Sequence, residues 1–238
     1  ILFSREKLDG KTIEDLEKEL EGALELSVDK ESEELLRESM DRMRKTLSKL
    51  ELTSFLSGKY DKGDAILALH AGQGGTEAQD WVSMLLRMYL RYSEKRGWKT
   101  EVVDETPGEE AGIKSITLLV KGPYSYGYLK GEAGTHRLVR QSPFNADKLR
   151  QTSFALVEVL PLFEESPEIE IREDDLDWQF THSSGHGGQN VQKVATAVRL
   201  KHIPTGIVVT AQSQRYQEAN RKIALSLLRA KLWERQEE

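Results

Sequence analysis

The apolar residues of this chain keep two different periods, and the change between them near residue 60 excludes both an all-α and an all-β fold. Ile13, Leu16, Leu20 and Leu24 recur at spacings of three and four, and so do Leu36, Met40, Met43, Leu47 and Leu50, the repeat of helices with one apolar face. Val28-Asp29-Lys30-Glu31 interrupts the two stripes, so residues 1–60 predict an antiparallel helical hairpin that packs or docks and carries no chemistry. From Ala65 the pattern changes. Ala65-Ile-Leu-Ala-Leu69 is an apolar run of strand length, residues 76–95 are helical, and 100–103, 116–120 and 152–160 read as strands. An acidic stretch, 161–175, reads as a linker into a last part with strands at 176–180, 197–201 and 207–210, the latter two forming a hairpin around Pro204-Thr-Gly206. Residues 219–235 close the chain as a helix with Ile223, Leu227, Ala230 and Trp233 on one face. The expected fold is α+β in three parts: a helical hairpin (1–60), a mixed α/β domain (61–165) and a smaller α+β domain (166–238).

Composition narrows the chemistry. The absence of cysteine removes disulfides, thiolate metal sites and cysteine nucleophiles together. No apolar run approaches the roughly 18 residues of a membrane-spanning helix. The formal charge of −6 hides an asymmetry: residues 1–60 carry −4, 61–180 carry −7, and everything from Thr181 onward carries +5. An acidic body with a basic last segment predicts that only the latter meets a polyanion closely. The chain opens on Ile1 rather than Met, which reads as a fragment of a longer protein.

Three motifs need a chemical reading. Gly72-Gln-Gly-Gly-Thr76 lies between a strand and a helix but lacks the Gly-Lys-Ser/Thr of a phosphate loop; Thr76 and Gln79 instead have the spacing of a capping box. Ser142-Pro143-Phe144 is expected to be extended or turned, because Pro143 blocks continuation of a preceding helix. Thr181-His-Ser-Ser-Gly-His-Gly-Gly-Gln-Asn190 places Gly185, Gly187 and Gly188 around one amide, Gln189, so that the backbone can approach a partner closely. On its own this loop reads first as a flexible spacer between two strands. His182 and His186 lack a third ligand, so no metal site is expected, and no cofactor.

Taken together and in order, Gly74-Gly-Thr-Glu-Ala-Gln-Asp-Trp81, Gly134-Thr-His-Arg-Leu-Val-Arg140, Ser142-Pro-Phe144, Thr152-Ser-Phe154, Ser184-Gly-His-Gly-Gly-Gln189 and His202-Ile-Pro-Thr-Gly-Ile207 resemble the bacterial class I peptide-chain release factors, of the release factor 2 type that reads UAA and UGA. The resemblance covers residues 64–233. It implies four domains, with the second and fourth reading the codon and the third carrying the glycine loop to the peptidyl-transferase centre; the fourth is expected to be missing or incomplete here.

The implied function is translation termination, acting as a codon-dependent trigger of peptidyl-tRNA ester hydrolysis on the ribosome rather than as a free-standing enzyme. The resemblance nominates Gly187, Gly188 and Gln189 as the hydrolytic group, with the Gln189 backbone N–H as the donor to developing oxyanion charge and Gln189 as the target of a glutamine methyltransferase. It assigns codon contacts to Ser142, Pro143 and Phe144, to Glu132 at an expected helix start for the first base, to Val139 and Thr152 around the third, and to Gln151, where many relatives carry histidine, for stacking on the second. Ser142 suits a second position that accepts A or G, because a hydroxyl both donates and accepts. His186 stands where many family members have a small residue or proline. Lys193, Arg199, Lys201, Arg215, Arg221 and Lys222 are the expected contacts to rRNA or tRNA phosphates. The implied partners are the rRNA of both subunits, the mRNA stop codon and peptidyl-tRNA; the protein is expected to be a cytoplasmic monomer, or to lie in an organellar matrix or stroma, and not to bind membranes. Two other readings share the glycine loop: a codon-independent ribosome-rescue hydrolase, which should lack Ser142-Pro143-Phe144, and an RNA-binding protein without hydrolysis.

Overall fold

A computed structural model describes Lys18 and residues 37–47, 55–147, 149–162, 171–181 and 195–237. Two compact units emerge, Ile1–Ser57 and Gly58–Glu238. In the first, residues 37–47 are helical; of their apolar stripe Met43 is buried, and Met40 and Leu47 are half exposed. The expected stripe at residues 13–24 and the break at 28–31 lie outside the described residues.

The second unit is built on a five-stranded antiparallel sheet, order β2-β3-β1-β5-β4: β1 Ala65–Ala71, β2 Lys99–Pro107, β3 Ile113–Lys121, β4 Gly134–Gln141 and β5 Arg150–Pro161. Helix α1, Thr76–Arg96, covers one face, burying Val82, Leu85 and Tyr89 against Leu67, Leu69, Leu118, Val120 and Val157. On the other face Ile66, Val103, Leu119 and Leu160 share a core with a second sheet, order β6-β7-β8 (Leu176–Thr181, Ala197–His202, Val208–Ala211), and with helix α3, Gln217–Glu237, through Val198, Leu200, Val209, Ala224 and Leu228. A short helix α2, Ser125–Leu129, precedes β4. Because β1 is central and covered on both faces, all of Ala65–Leu69 is buried, which is why its sequence is a continuous apolar run without alternation. The α+β class holds.

Three local expectations are corrected. The segment before Pro143 is a strand, not a helix: β4 pairs along its whole length with β5, from Gly134 opposite Val157 to Gln141 opposite Arg150, and this pairing decides a polar sequence whose own propensity does not. Thr76 does not cap α1. The N-cap is Gly75 at φ 57°, Thr76 is already the first helical residue, and its hydroxyl donates to Glu110 Oε2 at 3.0 Å. The linker does not begin at Pro161, which is still in register opposite Ala65; a proline is tolerated there because it ends the strand.

Candidate functional site

Strands β4 and β5 are joined by residues 142–149, closed at their base by the Ser142 N–H donating to the Leu149 carbonyl at 3.1 Å. At the tip the Asn145 side chain accepts the Asp147 N–H at 2.9 Å, a local turn that substitutes for backbone pairing. Pro143 and Phe144 are exposed, and the Ser142–Ala146 side of the loop lines an open concavity of about 700 Å³. Ser142 is the exception. Its side chain is 3% exposed; the hydroxyl donates to Glu77 Oε2 at 2.7 Å and accepts the Phe144 N–H at 3.2 Å.

Glu77 organises this end. It sits in the first turn of α1, 3% exposed, with Asp80 one turn later on the same side. Arg140, reaching down from β4, donates through Nε to Glu77 Oε1, through Nη2 to Asp80 Oδ2 and through Nη1 to Met84 Sδ at 3.4 Å. The bond to Glu77, and then that to Asp80, hold the guanidinium charged beyond its ordinary range against the opposing effect of burial. A carboxylate buried without such partners would be costly; here two side chains satisfy it, and one of them is Ser142. The approach of α1 depends on Gly74, at φ 133°, where an added Cβ would lie 2.9 Å from Ser153 Oγ. Hydrogen bonds of Gly72 N to Phe154 O (2.9 Å) and Phe154 N to Gln73 O (3.0 Å) dock the same turn on β5.

The structure brings some of the expected residues together and separates others. Val139 and Thr152 are opposite one another in register and both exposed, on the sheet face away from α1. Gln151, opposite Arg140, belongs to the α1 face. Glu132 is not at this end. It closes a short 3₁₀ turn, Lys130–Glu132, just before β4, and the eight residues of that strand separate it from Ser142 by roughly 25 Å. There its carboxylate accepts the Tyr89 hydroxyl at 3.0 Å, and burial together with that carboxylate pushes the Tyr89 phenol above its usual range. The residue missed by sequence reasoning is Glu77. Its signal was an acidic pair at helical i, i+3 spacing behind a glycine turn.

The second end lies on the smaller sheet. Thr181 at the end of β6 pairs with Ala197 at the start of β7, so the end of one strand lies beside the start of the next. Gly187, Gly188, Gln189 and Lys193 lie outside the described residues, as do His182 and His186. The return is anchored by fully buried Asn220 of α3, whose amide donates to the carbonyls of Thr196 (2.8 Å) and Gln214 (2.9 Å) and accepts from Gln214 N (2.9 Å); Gln217 donates to Ala195 O at 2.8 Å. Arg199 and Lys201 are exposed on the sheet face away from α3, Arg215 and Lys222 are exposed near the start of α3, and Arg221 lies over the rings of Trp178 and Phe180.

Both ends of this arrangement have counterparts in known proteins. The PCRF domain model matches residues 6–157 and the RF-1 domain model residues 164–238, and the chain belongs to the peptide chain release factor family. Peptide chain release factor 2 of Thermomicrobium roseum is 62% identical over 185 residues, covering 78% of this chain and 50% of that protein. The chloroplastic peptide chain release factor PrfB1 of Arabidopsis thaliana is 54% identical over 225 residues, covering 94% of this chain and 48% of that protein. The solved structure of RF2 of Thermus thermophilus superposes with a TM-score of 0.80 at 44% identity, covering 98% of this chain and 67% of that one. The chain thus spans about half the length of the first two relatives.

Proposed function

We propose that this protein terminates translation, recognising UAA and UGA in the ribosomal decoding site and triggering hydrolysis of peptidyl-tRNA in the peptidyl-transferase centre. The observation that carries the reading is the loop after β4: Pro143 and Phe144 exposed on a tip whose Ser142 hydroxyl is held by a buried carboxylate, in a chain 62% identical to a release factor 2. On the codon the Ser142 hydroxyl exchanges its bond to Glu77 for one to the second base, accepting from the amino group of A or donating to the carbonyl of G, with Val139 and Thr152 toward the third base and Gln151 beside the second. Before that exchange Glu77 holds Ser142. Glu132 keeps a local role with Tyr89.

At the other end, water attacks the ester carbonyl, the carbonyl–ribose oxygen bond breaks, and the departing ribose oxygen takes up a proton, leaving a free peptide carboxyl and a tRNA hydroxyl. The Gln189 backbone N–H stabilises the oxyanion that develops. Gly187 and Gly188 permit its approach, and the Gln189 side chain lines the water pocket. Division of labour follows the chain: 1–60 docks, 61–165 reads the codon and 166–238 delivers the loop, with Lys193, Arg199, Lys201, Arg215 and Lys222 on RNA phosphates. The protein works as a monomer with rRNA, mRNA and peptidyl-tRNA in the cytoplasm or an organellar equivalent, and Gln189 is the substrate of a glutamine methyltransferase. Among the described residues no helix is long and apolar enough to cross a membrane.

Peptide release from ribosomes programmed with UAA, UGA, UAG or a sense codon tests the reading. Release is expected on UAA and UGA only, and Gln189→Ala should lower it while ribosome binding persists. Equal release on all four codons would establish codon-independent rescue instead, and none on any would leave RNA binding alone.

A further inference from the structure

We propose that Trp178, Phe180 and Arg221 form a stacking site for an unpaired RNA base beside the root of the glycine loop. Trp178 and Phe180 lie two apart on the edge strand β6, with ring planes 6° from parallel and centroids 6.4 Å apart. The Arg221 guanidinium, from α3, lies 4.7 Å from the centre of the Trp178 ring and 5.9 Å from that of Phe180. Trp178 also packs on the shared core, so the inner ring is fixed, whereas Phe180 is 42% exposed one residue before the end of the strand. Asp177 and Gln179 point to the opposite face, bonded to each other at 3.2 Å.

An edge strand is ordinarily protected by charge or by short length; this one presents a ring to solvent at the loop end. Among the described residues Arg221 makes no ion pair, and its guanidinium lies against the two rings. Parallel rings under a planar cation suit a ligand that is itself planar and carries negative charge close by, which is the description of a nucleotide. Charge agrees: residues from Thr181 onward carry net +5, and Arg215 and Lys222 are exposed at the start of α3 together with Tyr216, 72% exposed. The base must be unpaired, because a duplex keeps its base faces stacked on each other. This differs from phosphate contact: Arg221 acts through its plane as well as its charge.

The test is binding of the protein to an unstructured single-stranded RNA of about twelve nucleotides and to a duplex of the same composition, across a salt series. The single strand should be preferred. Phe180→Leu, which keeps apolar bulk but loses the ring, should weaken single-strand binding about tenfold with an unchanged salt slope, and Phe180→Tyr should retain it. Arg221→Lys, which keeps charge but not the plane, should also weaken it, whereas Lys222→Ala should weaken strand and duplex alike and flatten the slope. Wild-type affinity in Phe180→Leu, equal binding of duplex and single strand, or no single-strand binding by the wild type would each overturn the proposal. The assay contains no ribosome, codon or ester, so its failure leaves the release reading standing, and failure of release leaves this site standing.

Discussion

Replacing Glu77 by glutamine isolates the interaction that holds the exposed loop after β4. Glu77 accepts from the Ser142 hydroxyl through one oxygen and from Arg140 through the other. Glutamine offers one acceptor and one donor. If its oxygen stays with Arg140, its amide faces a hydroxyl whose oxygen already accepts the Phe144 N–H, and the serine proton loses its partner. The lost bond is to a charged group, worth about 1.5–3 kcal/mol. Arg140 retains Asp80, so no charge is orphaned, and the lower half of that range applies: about 2 kcal/mol for Glu77→Gln. Ser142→Ala removes the same bond from its other side, about 1.5 kcal/mol. Because both substitutions delete one shared interaction, the double variant should lose about 2–2.5 kcal/mol rather than about 3.5, a coupling of about 1–1.5 kcal/mol. Urea unfolding of the four proteins at a common m-value measures it. Losses that add within about 0.5 kcal/mol would show that Glu77 does not hold Ser142 in solution.

Two further predictions concern the frame around the two ends. Gly74→Ala should cost about 2 kcal/mol or more, since φ 133° is strained for any side chain and the new Cβ meets Ser153, lowering Tm by about 4–8 °C; Gly131→Ala, with nothing within 4 Å, should change stability by less than about 0.5 kcal/mol in the same thermal melts. Glu158 on β5 is held below the usual glutamate range, first by the His70 imidazole 3.5 Å away, against burial, and then by Lys231 of α3, also at 3.5 Å. A depressed carboxyl stabilises above its unfolded pKa and loses that contribution as pH falls through the folded value, so Glu158→Gln should be less stable than wild type at pH 7 and converge with it on the acid side of about pH 4, as read by urea midpoints across pH.

Those features that the sequence announces are local or periodic. The run 65–69 predicts β1 because a strand covered on both faces has no polar position to fill, and the spacing of Val82, Leu85 and Tyr89 predicts α1 because its buried face repeats every three to four residues. What it does not announce is decided by partners far along the chain. β4 is a strand because β5 lies beside it, and Glu132 ends far from Ser142 because that same strand carries the chain away, although the two are close in sequence. The cap of α1 moves one residue, from Thr76 to Gly75, because the chain enters the helix through a glycine at φ 57° that leaves Thr76 already helical, its hydroxyl donating to Glu110. The strongest case is burial of polar groups, which has no periodic signature. Glu77, Ser142 and Asn220 are 3%, 3% and 0% exposed, and each is held by a residue outside its own element, Glu77 by one 65 positions away. Polar burial is unfavourable unless every bond is made, so a fold that buries a carboxylate under one loop and an amide under another gives up stability at those two places to fix where the loops leave the surface. That is the physical sense in which Glu77 and Asn220 belong to the two proposed functional ends although neither is exposed.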